Sequence, residues 1–242
     1  MDIIVQKFGG TSVANAAGLR RAARLISAAH AAGNGVVAVV SAQGDYTDKL
    51  LRKAAEISPD PCKRELDALL ASGEQTSMAL LAIAAEADGC PAVSLSGPEA
   101  GIKTDGHYGE AEITEIDTSR IYRELSAGRT VVVAGFQGAA PNGDVTTLGR
   151  GGSDTSAVAL AAVLGAKTCK IYTDVDGVYT ADPRRDSTAA KLDSISYDEM
   201  LAMAKSGAQV LHPRAVELAK KYHVRVEVLS SFTGAPGTVL TE

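Results

Sequence analysis

Basic charge, cysteine, histidine and long apolar runs are all in short supply in this sequence, and each shortage removes a class of function. Lys and Arg total 24 against 29 Asp and Glu, a formal net charge of −5, whereas a nucleic-acid footprint needs a clustered basic face. The short runs Arg20-Arg21, Arg184-Arg185 and Lys220-Lys221 read as solvated helix or loop faces. No apolar stretch reaches the ~20 residues that span a bilayer. The longest, residues 36–40 and 130–134, have strand length. The amino terminus opens on Asp2 and a strand-like run, not on a signal peptide. Cys62, Cys90 and Cys169 are odd in number, far apart and in no Cys-x-x-Cys spacing, so they read as ordinary thiols in a reducing, cytoplasmic setting. His30, His107, His212 and His223 form no metal-ligand cluster. No metal-ligating residues are therefore assigned.

What is present suits a packed α/β domain. Hydrophobic residues make up 45% of 242 positions and charged residues 22%, near the globular average. That length allows one domain or two closely fused lobes. Strand-like segments at 2–8, 35–41, 91–95, 130–136, 167–172 and 224–229 alternate with helical ones at 15–32, 48–57, 119–127, 152–164, 197–205 and 212–222. A long helical region over 63–87 is expected to break at Ser72-Gly73, and 102–116 reads as a polar hairpin. The polar stretch 184–196 reads as a loop. Repeated strand-then-helix units predict a largely parallel sheet covered on both faces, with ligands beyond the carboxyl ends of the strands.

Glycine loops with charges beside them occupy those places. Lys7-Phe8-Gly9-Gly10-Thr11-Ser12 follows the first strand. Its glycines let several N–H groups converge on an anion, Lys7 adds a point charge, and Thr11 and Ser12 add hydroxyls. The alternative is a tight turn with a lysine reaching to solvent. It is not a Walker A loop, whose Gly-x-x-x-x-Gly-Lys-Ser/Thr spacing is missing.

Gly149-Arg150-Gly151-Gly152-Ser153-Asp154 opens a helix and makes an anion site with its own counter-charge. Capping by Ser153 or Asp154 accounts for one polar residue but not for Arg150 or the glycines. The stretch 173–184 carries Thr173, Asp174, Tyr179, Asp182 and Arg184. Its carboxylates are placed to accept from a ribose or to hold Mg²⁺ through water, and its spacing is wrong for an EF-hand. The competing reading is an elaborate turn on Asp-Gly and Asp-Pro. Ser72-Gly73-Glu74 would aim Glu74 from a helix N-terminus, and Ser41 and Thr47 face the same cleft. Together these groups suit phosphoryl transfer, which is mostly positioning and charge stabilisation. No Ser-His or Cys-His pair suggests covalent catalysis.

The blocks KFGGTSVA at 7–14, VSA at 40–42, SGE at 72–74, TTLGRGGSDTSA at 146–157, YTDVDGVYTADPR at 172–184 and VLHPRA at 210–215 carry a resemblance. The chain resembles, from about residue 2 to 240, the catalytic domain of the aspartate kinases within the amino acid kinase family. The resemblance implies a three-layer α/β/α sandwich with a mainly parallel central sheet. It implies an N-lobe of about 1–135 for the amino acid and a C-lobe of about 136–242 for ATP. It implies transfer from MgATP to the β-carboxylate of L-aspartate, and a homodimer.

Residue roles come with it. Lys7 would stabilise the transferring phosphoryl group beside the Gly9, Gly10, Gly151 and Gly152 amides, and Asp154 would organise the reacting groups. Arg150 would clamp the α-carboxylate, Glu74 would pair with the ammonium, and Ser41, Thr47 and Ser153 would complete the acceptor site. Thr173, Asp174, Tyr179, Asp182, Arg184 and residue 209 would line the nucleotide pocket.

Three departures stand out. Gln209 replaces a lysine that contacts ATP, and Gln43 replaces the methionine of the VSAMG loop. No paired ACT domains follow within the 242 residues, as in a cut or naturally short form, so control by lysine or threonine is expected to be absent. The alternatives are a kinase of another amino acid or small carboxylate, which Arg150 with Glu74 disfavours for N-acetylated acids, and a non-catalytic nucleotide-binding subunit, which retention of Lys7 and Asp154 disfavours.

Overall fold

In a computed structural model the chain forms an eight-stranded sheet with helices on both faces and a second sheet of four short strands. The structure describes residues 1–181, 186, 188–206, 210–233 and 235–242. In chain order the strands are β1 (Ile3–Phe8), β2 (Gly35–Val40), β3 (Ala92–Leu95), β4 (Ile102–Thr104), β5 (Ile113–Ile116), β6 (Thr130–Ala134), β7 (Gln137–Ala139), β8 (Val145–Thr147), β9 (Thr168–Thr173), β10 (Ser194–Ser196), β11 (Val226–Ser230) and β12 (Thr238–Thr241). The helices are α1 (Ala16–Ala31), α2 (Tyr46–Ile57), α3 (Lys63–Ala87), α4 (Ser119–Ser126), α5 (Gly152–Val163), α6 (Tyr197–Lys205) and α7 (Pro213–Lys221).

The large sheet runs β10-β12-β11-β9-β1-β2-β6-β3. Its pairings are parallel except β11 with β12. The expected α/β/α sandwich is what the chain forms. Central strands show why: every residue of β2 is buried, because both faces of a doubly covered sheet are interior. Side chains alternate between the faces. Val36, Ala38 and Val40 join Leu19, Ile26 and Leu81 of α1 and α3 in one core cluster. Val37 and Val39 join Leu125, Val158 and Leu160 of α4 and α5 in the other, with Met200 and Val216 of α6 and α7.

Helix starts follow local chemistry. Asn15 caps α1 by accepting from Gly18 N at 3.0 Å, and Ser196 with Glu199 forms a capping box on α6. Pro213 opens α7 at its first turn.

The expected break at Ser72-Gly73 is absent: α3 is continuous from Lys63 to Ala87. Gly73 is there for close packing, since a Cβ on it would stand 2.9 Å from the Cβ of Ala42. Glu74 therefore projects from mid-helix rather than from an N-terminus. Among the described residues α3 is also the one helix long and apolar enough to cross a membrane, but Leu70, Ala71, Leu81 and Ala85 are buried in the fold. The polar hairpin appears as β4 against β5. The strand expected over 130–136 ends at Ala134, because Phe136 takes φ +70°.

Candidate active site

Three of the central strands end in loops that meet in one cavity of about 520 Å³, the loop after β8 joining them there. Strand parity places the first charge. Lys7 lies on the same face of β1 as Ile3 and Val5, which pack toward α5. The side chain therefore reaches the start of α5, where Nζ meets Asp154 Oδ1 at 2.6 Å. Both side chains are close to nine-tenths buried, 11% and 12% exposed. A pair so withdrawn from water is retained only where each charge has its partner.

Gly10, Gly151 and Gly152 line the cavity, but Gly9 does not, and its N–H is taken by a backbone bond rather than left for an anion. After β1, Gly9 N donates to Tyr172 O at 3.1 Å, and Gly10 O accepts from Gly44 N at 3.0 Å. Before α5, Gly151 takes φ +70°, and a Cβ there would fall 2.1 Å from His212 Cγ. No other residue type fits that position without moving α7. Gly151, Gly152, Ser153 and Asp154 line the cavity, with Ser153 and Asp154 buried. The N-terminus of α5 thus faces the cavity and favours an anion there. Arg150 lines it too, is exposed, and makes no ion pair among the described residues.

Ser41, Thr47 and Glu74 stand on the opposite wall. Glu74 is 3% exposed. Its Oε1 accepts from Ala42 N at 2.9 Å, while Oε2 is buried without a partner. Burial pushes its carboxyl up to about 7, against the smaller opposing pull of the Ala42 N–H. An unpaired buried acceptor of this kind asks for a donor from a ligand.

Other predicted residues lie apart from this cavity. Thr11 is exposed. Ser12 is buried, its Oγ 2.9 Å from Ser231 Oγ and 3.4 Å from Tyr172 O. Thr173, Asp174 and Tyr179 gather at the end of β9, the strand beside β1. There Thr173 Oγ1 donates to Asp174 Oδ1 at 3.0 Å, and Tyr179 OH donates to Asp176 Oδ1 at 2.9 Å. Asp182, Arg184 and Gln209 lie outside the described residues. Gln43 turns away from the cavity, and its Nε2 donates to Val13 O at 2.7 Å.

Several wall residues went unread in the sequence, Asp67 and Phe136 among them. Asp67 is buried on α3 and bonded to Gly109 and Thr147. Its signal is the seven-residue interval to Glu74 on one helix, which puts both on one face. Phe136 has no sequence signal, since left-handed backbone at phenylalanine is uncommon.

Fold and cavity together define an α/β/α protein that presents a buried lysine–aspartate pair and a helix N-terminus to an anion. The chain belongs to the amino acid kinase family, whose model matches residues 2–230. It is 55% identical over 242 residues to an aspartokinase of Geobacillus stearothermophilus, covering 100% of this chain and 60% of that protein. It is 54% identical to aspartokinase 2 of Bacillus subtilis (strain 168), covering 59% of that protein. The chain thus spans about 60% of the length of the curated relatives it matches.

Among solved structures, an aspartate kinase from Synechocystis superposes with a TM-score of 0.89 at 47% identity, over 99% of this chain and 39% of that one. Aspartokinase III of E. coli, in complex with aspartate and ADP, superposes at 0.86 with 28% identity, over 100% of this chain and 65% of that one. A uridylate kinase from Archaeoglobus fulgidus shares the fold at 21% identity and a TM-score of 0.70.

Proposed function

We propose that the chain transfers the γ-phosphoryl group of ATP to the β-carboxylate of L-aspartate, giving β-aspartyl phosphate and ADP. The observation that carries this reading is the Lys7–Asp154 pair, 2.6 Å apart and nearly buried, at the meeting of two glycine loops. A carboxylate oxygen of the acceptor forms the new bond to γ-phosphorus, and the bond from γ-phosphorus to the ADP oxygen breaks. The acceptor is already ionised at neutral pH, so no strong base is required. What the reaction needs is charge stabilisation on the transferring group. Lys7 and the amides opening α5 supply it, and Asp154 holds Lys7 in place.

Acceptor choice follows from the two walls. Arg150 offers a bidentate fork to an α-carboxylate. Glu74 offers its unpaired Oε2 to an ammonium, so a free amino acid fits better than an N-acylated one. Ser41, Thr47 and Ser153 complete that end. Thr173, Asp174 and Tyr179 lie toward the nucleotide, with Asp182, Arg184 and Gln209 assigned there by resemblance. In this reading residues of about 1–135 serve mainly the acceptor and about 136–242 mainly the nucleotide, with Arg150 and Ser153 reaching across.

Mg²⁺ is expected with the nucleotide. The nucleotide phosphates and water would carry the ion, with one or two carboxylates at most, as is usual for Mg²⁺. The proposal places this activity in the cytoplasm and in a homodimer, which sedimentation would show.

ADP release tests the reading. L-aspartate is expected to raise ADP release well above the rate without acceptor. Lys7→Ala is expected to lower turnover by about three orders of magnitude while nucleotide binding, followed by calorimetry, is largely kept. A fully active Lys7→Ala protein would overturn the assignment.

A further inference from the structure

We propose that Asp67 is a positioning residue that sets where Arg150 stands in the cavity. Arg150 is exposed and has no ion pair among the described residues, so its place is inherited from the backbone that leads into it. That backbone is bonded at successive groups. Thr147 N donates to Asp67 Oδ2 at 2.9 Å and Thr147 Oγ1 donates to Asp67 Oδ1 at 2.7 Å. Thr147 O accepts from Ala111 N at 2.9 Å, and Leu148 N donates to Phe136 O at 2.8 Å. Leu148 O accepts from Arg214 Nη1 at 2.7 Å.

Asp67 also ties a second segment, because its Oδ2 accepts from Gly109 N at 2.9 Å; Arg214 does so at longer range, its Nη2 donating to Ala111 O at 3.4 Å. The Gly109 loop in turn backs the Arg150 turn: a Cβ on Gly149 would stand 3.2 Å from Gly109 O. Asp67 is 1% exposed, and removing its carboxylate takes the acceptor from two backbone N–H groups.

The helical spacing gives this clamp a purpose. Asp67 and Glu74 lie seven residues apart on α3, about 10 Å along its axis, and both line the cavity. One rigid helix thus holds Glu74 directly and Arg150 through Asp67. The distance between the groups that read an acceptor's ammonium and its α-carboxylate is fixed by α3. This consequence rests on the acceptor reading proposed above; the anchoring of the 147–150 run does not.

Two measurements separate the claims. Hydrogen exchange without ligand, over residues 147–151, reads the anchoring. KM for L-aspartate and KM for ATP, measured apart by ADP release, read its use. In Asp67→Ala, exchange over 147–151 is expected to quicken about tenfold or more, and KM for L-aspartate to rise about tenfold, with KM for ATP within about twofold. Asp67→Asn keeps an oxygen for both N–H donors and an amide for the Thr147 hydroxyl, and is expected to restore both readings to within about threefold of the natural protein.

Unchanged exchange in Asp67→Ala, equal rises in both KM values, or an Asn variant as impaired as the Ala variant would each overturn the proposal. Should Asp67→Ala fail to fold, Thr147→Val decides: it removes one bond, and a KM for L-aspartate unchanged in that variant contradicts the clamp. If the natural protein phosphorylates no acid, the acceptor reading fails while exchange still decides the role of Asp67.

Discussion

Glu74 shows how a single buried side chain couples stability to function. Its carboxyl is pushed up to about 7 by burial, so between about 4.5 and 7 the folded protein binds a proton that the unfolded chain releases. That contribution to stability is complete at pH 4.5 and is lost as pH rises through 7, by up to roughly 3 kcal/mol. Glu74→Gln keeps the shape and removes the titration. The variant is expected to melt higher than the natural protein at pH 8 and at a similar temperature near pH 5, in thermal unfolding followed by circular dichroism. The ammonium reading has the opposite sign. KM for L-aspartate is expected to rise as pH falls below 7, because protonated Glu74 no longer balances a cation, and Glu74→Gln should flatten that profile at a KM raised about tenfold.

Lys7, Arg150 and Asp154 were legible from the sequence as cavity residues, because charged residues beside glycines at strand ends have few other reasons to be there. Glu74 was picked out beside Gly73, though from a helix start that the continuous α3 does not have. Asp67 was not. An aspartate in a helix reads as solvated, and its bonds to Thr147 span 80 residues of chain. Ser12 was legible as a hydroxyl but not in direction: the turn after Gly10 points it inward to Ser231.

At the scale of elements, the glycine before α5 carries the sharpest expectation. Gly151→Ala places a methyl group into His212 and forces a left-handed φ on alanine. A loss of about 1–3 kcal/mol is expected, readable as a lower denaturant midpoint, together with lost turnover because the α5 amides shift. Unchanged stability would mean that α7 yields freely. Helices and long central strands were readable because their periods persist over many residues, as in 197–205, which α6 matches end to end. The short strands β7, β8, β10 and β12 were not. Each has three or four residues and is defined by its pairing partner rather than by any pattern of its own. The failed break in α3 has a similar cause: a glycine serving a tertiary contact carries the same local signal as a helix end.

Across the whole molecule, one sheet binds both halves of the chain. β1 pairs with β2 on one side and with β9 on the other, so the strands from before and after residue 135 lie side by side in a single layer, joined at the β1–β9 pairing. Both core clusters also draw on both halves, Tyr172 packing with Phe8 and Val133 with Leu160. Separate unfolding of an acceptor lobe and a nucleotide lobe would require splitting that sheet down its centre. The chain is therefore expected to unfold in one transition, coincident by near- and far-ultraviolet circular dichroism. Two resolved transitions would contradict the shared core.

The central claim is that the cavity transfers phosphate to a free amino acid, and trapping the acyl phosphate with hydroxylamine tests it most directly. L-aspartate, L-glutamate, N-acetyl-L-aspartate and N-acetyl-L-glutamate would each be offered with MgATP, and hydroxamate measured. Hydroxamate from L-aspartate, and little or none from the N-acetylated acids, is the predicted result. Hydroxamate formed equally from an N-acetylated acid, or from none of the four, would contradict it.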